Sequence, residues 1–108
     1  MPQIKFRGVE VAKIQTISKE LVDQLQKIIQ CPREDLTLEC QTSTFIQDGN
    51  LVEGYPFVEV AWFDRGQSIQ DQVANVVTEY VQQAGYPSVD VIFFALEKSR
   101  YYENGKHY

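Results

Sequence analysis

The chain has 108 residues, 44% of them hydrophobic and 23% charged, with a formal net charge of −5. That is the size of one ordinary domain with a modest core, and its acidic balance excludes a protein that grips nucleic acid through phosphate contacts. No apolar run approaches the roughly 18 residues of a membrane span, and no signal segment is expected before the domain. Cys31 and Cys40 lie outside any CxxC spacing and His107 is the single histidine, which argues against a structural zinc site. Neither a metal nor another cofactor is expected. Both cysteines read as free thiols in a reducing cytoplasm, with Cys40 in the core.

The first strand is expected from Pro2 to about Gly8, with Ile4 and Phe6 alternating against Lys5 and Arg7. A helix follows, starting between Ala12 and Ser18, with Ile14, Ile17, Leu21, Leu25 and Ile28 at helical spacing. Strand two is expected over residues 36–45, and a loop carrying DGN and EG comes next. Strand three is YPFVEVAWF, residues 55–63. Helix two has Ser68 as its expected N-cap and Asp71 in its first turn. Its buried stripe is Ile69, Val73, Val76, Val77, Tyr80, Val81 and Ala84, and Gly85 with Pro87 ends it. Strand four, VDVIFFAL over residues 89–96, is nearly all apolar and therefore expected to be central and covered on both faces.

The two halves match. Pro2 aligns with Pro56 and Pro32 with Pro87, offsets of 54 and 55 residues. The expected fold is α+β: tandem β-α-β repeats forming a four-stranded mixed sheet with two helices on one face. A single domain spans residues 1–108, with repeat halves of about 1–46 and 55–97 and a tail over 98–108. Alternation sends Ile4, Phe6, Leu36, Leu38, Val58, Val60 and Trp62 toward the helices. Lys5, Arg7, Thr37, Glu39, Gln41, Phe57, Glu59, Ala61 and Phe63 then share the opposite face. That face reads either as solvated sheet, with ion pairs worth under about 1 kcal/mol each, or as an interface between copies. Phe57, Phe63 and the Phe93–Phe94 pair cannot all hide beneath two helices, which favours the interface. A ferredoxin-like regulatory domain has the same element order with different strand pairing, and the string alone does not separate the two.

The tandem halves, Pro at position 2, the length and the open sheet face resemble the tautomerase superfamily. That superfamily includes the macrophage migration inhibitory factor (MIF) and oxalocrotonate tautomerase types. The segments MPQIKFRGVE, YPFVEVAWFDRGQSIQDQVA and RYYENGKHY resemble a bacterial branch described as a domain of unknown function. The resemblance implies a MIF-like homotrimer with its sheets inside and the tail SRYYENGKHY reaching over a neighbouring subunit; Arg7, Glu39 and Glu59 on the open sheet face are the candidate interface partners. It also implies tautomerisation of small keto or enol compounds such as 2-oxo acids, with Pro2 as general base once Met1 is removed. A free α-amino group titrates near 8, so an apolar pocket and a nearby cation must lower it. Arg65, in FDRGQS, is the candidate for holding a carboxylate or enolate oxygen. Gly66 and the helix start provide an anion-friendly end, Phe63 an apolar wall, and Tyr101 or Tyr102 a hydrogen bond.

The sequence departs from the MIF type elsewhere. Cys31, with Arg33 two residues on, stands where that type has a Lys before strand two. Val91 and Phe93 stand where it has a hydrogen-bonding Tyr and Asn. The alternative reading is a non-catalytic trimeric scaffold or small-ligand-binding protein of the same fold.

Overall fold

The computed structural model describes residues 2–108. β1 (Gln3–Arg7), α1 (Val11–Ile29) and β2 (Thr37–Gln41) form one parallel β-α-β unit, and β5 (Phe57–Trp62), α2 (Gln67–Gln83) and β6 (Asp90–Ala95) form the second. The sheet order is β2-β1-β5-β6, parallel within each unit and antiparallel at the β1–β5 joint. This pairing decides against the ferredoxin-like alternative, whose strands pair differently.

The duplication is visible in the register. Lys5 pairs with Glu59 at the middle of the joint, and the two are also equivalent in sequence at the offset of 54 residues. The prolines occupy matching places: Pro2 O accepts from Thr37 N–H at 3.2 Å, and Pro56 O accepts from Asp90 N–H at 3.1 Å. Each proline ring starts a strand where no ladder donor is required.

Both helices lie on one face because their apolar residues recur every three or four positions. α1 buries Ile14, Ile17, Leu21, Val22, Leu25 and Ile29, and α2 buries Val73, Val77 and Val81. They cover Ile4, Phe6, Val58, Val60 and Trp62, while Phe93 packs its ring 5.1 Å from that of Trp62. α1 ends at Gln30 in the left-handed conformation (φ 58°), whose N–H returns to Gln26 O.

Four expectations are corrected. α1 begins at Val11, ahead of the expected window; the chain turns at Gly8 (φ 75°), and the Glu10 N–H donates to Tyr86 Oη at 2.7 Å in place of a side-chain cap. α2 is capped by Gly66 (φ 90°), not Ser68, because Asp64 Oδ1 accepts the Gly66 N–H at 2.8 Å and fixes the turn. β2 stops at Gln41, since Phe45–Gln47 (β3) and Asn50–Val52 (β4) fold on each other. Their turn has Asp48 and Gly49 at φ 52° and 77°, the twist a two-residue hairpin needs. β6 is an edge strand, not a central one. Val91 and Phe93 face the helices, whereas Ile92 and Phe94 point away and are 39% and 47% exposed.

A second small hairpin, β7 (Tyr102–Glu103) and β8 (Lys106–His107), closes the chain around Asn104 and Gly105 at φ 52° and 83°. No described helix is long and apolar enough to cross a membrane. No group of His, Cys, Asp or Glu among the described residues is arranged to hold a metal ion.

Candidate functional site

The antiparallel joint brings the start of β1 and the end of β5 to the same end of the sheet. Gln3 pairs with Ala61, so Pro2 and the segment Trp62–Phe63–Asp64–Arg65–Gly66 share that end. Pro2 is buried. Arg65 is half-buried; its Nη1 donates to Phe63 O at 2.6 Å, and its guanidinium carbon lies 5.4 Å from the Trp62 ring centroid. A carbonyl and an aromatic face thus fix the cation without neutralising it. Its charge is felt at Cys31, where burial pushes the thiol above its ordinary pKa and Arg65 pulls the other way. Cys40, remote from that cation, is pushed up by burial.

Beside Arg65 is an aromatic cluster. The Phe63 ring is 5.5 Å from Tyr101 and 5.4 Å from Tyr108, and those two tyrosines are 5.0 Å apart. Tyr108 N–H donates to Tyr101 O at 3.1 Å, and Tyr108 Oη donates to Glu103 Oε2 at 3.0 Å. That hydrogen bond favours the neutral phenol and raises its pKa. The tail therefore docks on Phe63 of its own chain. Tyr102 is not part of this cluster: it is 62% exposed, with its ring 6.0 Å from His107. Gly66 is present at the helix start, but Asp64 takes its N–H.

Pro2, Phe63, Arg65, Gly66 and Tyr101 thus gather at one end. Two contributors were not singled out in the sequence: Trp62, which seats Arg65, and Tyr108. The Asn-Gly turn at 104–105 carried the signal for Tyr108. A two-residue turn there pairs Tyr102 with His107, which sets Tyr101 beside Tyr108.

The expected interface residues lie on the face away from the helices. Glu59 pairs with Lys5 at 3.1 Å, and Glu39 sits across from Lys5 on β2, exposed. The guanidinium carbon of Arg7 lies 4.5 Å from the centroid of the Phe57 ring. Among the described residues, Arg7 Nε is a buried side-chain nitrogen with no hydrogen-bond partner.

Two grooves open elsewhere. One of about 560 Å³ runs between α1 and the β2 edge over Ile14, Leu36, Leu38 and Cys40. The other, about 520 Å³, lies beneath the β3–β4 hairpin and is lined by Val9, Phe45, Leu51 and Tyr86. Neither is lined by Pro2, Phe63 or Arg65.

Residues 1–107 match the family described as "Domain of unknown function (DUF1904)". No curated protein matches the chain. A crystal structure of a DUF1904 domain from Sebaldella termitidis is 36% identical over 100% of both chains, with a TM-score of 0.92. A macrophage migration inhibitory factor-like protein from Entamoeba histolytica is 13% identical, covers 99% of this chain and 98% of its own, and has a TM-score of 0.71. A fused 4-OT, described as a symmetric trimer, is 16% identical over 98% of this chain and 94% of its own, with a TM-score of 0.75. The last two similarities show the fold, which is that of the tautomerase superfamily.

Proposed function

The chain belongs to the DUF1904 family, and from that premise we propose that it is a small-molecule tautomerase with Pro2 as general base. The observation that carries this reading is Arg65, seated on Trp62 and Phe63 O at the same end of the sheet as the buried Pro2. Met1 lies outside the described residues, and its removal is required to free the Pro2 amine. Burial and a neighbouring cation both disfavour the protonated amine, which keeps it available as a base. The amine takes a proton from the carbon next to a carbonyl, and the electron pair moves onto the carbonyl oxygen. Arg65 binds the substrate carboxylate or the developing enolate, and Phe63 with Tyr101 and Tyr108 walls the site. The proton then returns to oxygen, giving the enol. No redox change occurs: the proton moves from carbon to oxygen through the Pro2 amine.

The working unit in this reading is a homotrimer in a reducing cytoplasm. The fold neighbour described as a symmetric trimer supports the homotrimer. So do the outward Ile92 and Phe94, and the orphan Arg7 Nε, which an acceptor from a second copy would satisfy beside Glu39 and Glu59.

For untagged protein, mass spectrometry is expected to find Met1 removed, and phenylpyruvate is expected to tautomerise faster than in buffer. Pro2→Ala is expected to lower that rate by about 10²–10⁴-fold, the range of a general base, whereas Pro56→Ala leaves it intact. A Pro2→Ala rate equal to wild type would eliminate Pro2 as the base. One observation favours the scaffold reading: neither groove described above reaches Pro2 or Arg65. A trimeric mass with Met1 retained and no turnover of any enol substrate would select it.

A further inference from the structure

The Pro2–Arg65 end of the sheet carries a charge that the reaction does not use. Pro2 O accepts the Thr37 N–H at 3.2 Å, so Asp35 sits two residues before the group bonded to Pro2. The short 3-10 turn Arg33–Asp35 fixes it there, with Asp35 N–H donating to Pro32 O at 3.0 Å and Leu36 N–H to Arg33 O at 3.1 Å. Asp35 is half-buried, and its carboxylate has no ion-pair partner among the described residues. Its field reaches both sides of the site. Burial is the largest reason that the Cys31 thiol stands above its ordinary pKa; Arg65 opposes that rise and Asp35 adds to it. Tyr108 is raised first by its bond to Glu103, and Asp35 again adds. A carboxylate felt at both Cys31 and Tyr108 therefore borders the space that Arg65 faces.

Among the described residues, the positive side of this balance rests on one group. Arg65 is held by Phe63 O and the Trp62 ring, neither of which neutralises it. Arg33 and Arg100 are tied to Asp23 and Glu97 at 2.6 and 3.0 Å. Lys27, Lys98 and Lys106 are exposed, where water screens them. At this end Arg65 thus faces two carboxylates, Asp35 and the Glu103 that holds Tyr108. Beside them lie the rings of Phe63, Tyr101 and Tyr108, with centroids 5.0–5.5 Å apart. Such a site rewards one carboxylate on Arg65 and a flat apolar body against the rings. A second carboxylate on that body would meet like charge with no cation to offset it.

Resting on the tautomerase reading above, we infer that the site takes singly charged aromatic 2-oxo acids and that Asp35 is the specificity-determining residue that rejects a second carboxylate. It acts through repulsion alone, so its effect falls on KM and weakens as salt is added.

The test compares phenylpyruvate with its para-carboxy analogue, which carries a second charge, and with its para-carboxamide, which has the same bulk without that charge. Untagged wild type is expected to favour phenylpyruvate over the para-carboxy acid by about tenfold or more in kcat/KM, mostly through KM, and to treat the carboxamide like phenylpyruvate. Asp35→Asn, verified as folded by circular dichroism, is expected to shrink the gap to within about threefold, and added salt to shrink it in wild type. Binding of benzoylformate and para-carboxybenzoylformate, which cannot enolise, is measured in parallel by calorimetry. Turnover with equal KM values for the two acids, a gap that the carboxamide shares, or a gap that survives Asp35→Asn would overturn the charge filter and leave Pro2 as the base. Selective binding of benzoylformate without turnover of any acid would overturn the tautomerase and leave the filter standing. Equal binding without turnover, or no binding of either acid at about 10 mM, would overturn both.

Discussion

Gly8 and Gly49 adopt nearly the same left-handed backbone, φ 75° and 77°, but their surroundings differ. A Cβ at Gly8 would lie 2.0 Å from Tyr55 O, whereas a Cβ at Gly49 would meet nothing within 4 Å. Urea denaturation is expected to cost Gly49→Ala about 1–2 kcal/mol from backbone strain alone. Gly8→Ala must also displace the backbone before Pro56, and its cost is expected to be at least about twice that; equal costs would mean that the backbone at residues 55–56 yields. Tyr108 makes a pH prediction. Its folded pKa is raised above the ordinary 10.0 by its bond to Glu103. A raised folded pKa means that docking of the tail is fully supported below pH 10.0 and lost as pH rises through the folded value. Ring-current shifts of Tyr101 and Phe63 should therefore hold until that point and then collapse, with Tyr108→Phe removing the transition. A collapse well below pH 9 or so would contradict this role. At this scale the sequence put Phe63 at the end of strand three and Arg65 in the loop after it, where the structure has them. It did not reveal that Trp62, inward by alternation, also seats the guanidinium, because contacts between a strand end and its following loop are set by backbone direction rather than by spacing.

The helices were the most legible elements, and their burial makes a direct prediction. Leu21 is fully buried at the centre of α1; Leu21→Ala is expected to lose about 2–5 kcal/mol in denaturant unfolding. A loss under about 1 kcal/mol would mean that the core collapses around the gap. Spacing alone picked out Leu21, Leu25, Val73, Val77 and Val81, because a helix presents one face every three or four residues. Ends were less legible. Ser68 is a better cap by residue type than Gly66, but the carboxylate of Asp64 reached the Gly66 N–H first and set the boundary. Residues 42–45 read as the end of strand two and DGN as loop, yet the Asp-Gly turn folds Phe45–Gln47 and Asn50–Val52 into a hairpin of their own. An apolar run such as VDVIFFAL reports burial in the assembled state as well as in the single chain, so it cannot distinguish a covered central strand from an edge strand with its outer face open.

Across the whole molecule, the duplicated units join within the sheet through β1 and β5, with Lys5 and Glu59 at the crossing point and α1 packed on α2 above it, and leave β2 and β6 as the two free edges of the sheet. The second strand of each unit lies outside the first, so a chain built this way necessarily carries two unpaired edges, a hazard that proteins manage by covering them. Amide exchange should reflect this geometry. In dilute solution, β1 and β5 are expected to exchange slowest, while alternate amides of β2 and β6 exchange fast because they lack acceptors. If copies meet through the outer sheet face around Arg7, Ile92 and Phe94, raising the concentration is expected to leave these edge amides fast while the mass rises to a trimer. Edge amides that slow as the mass rises would instead show a second copy pairing with a strand edge, and would overturn the sheet-face contact as the sole one.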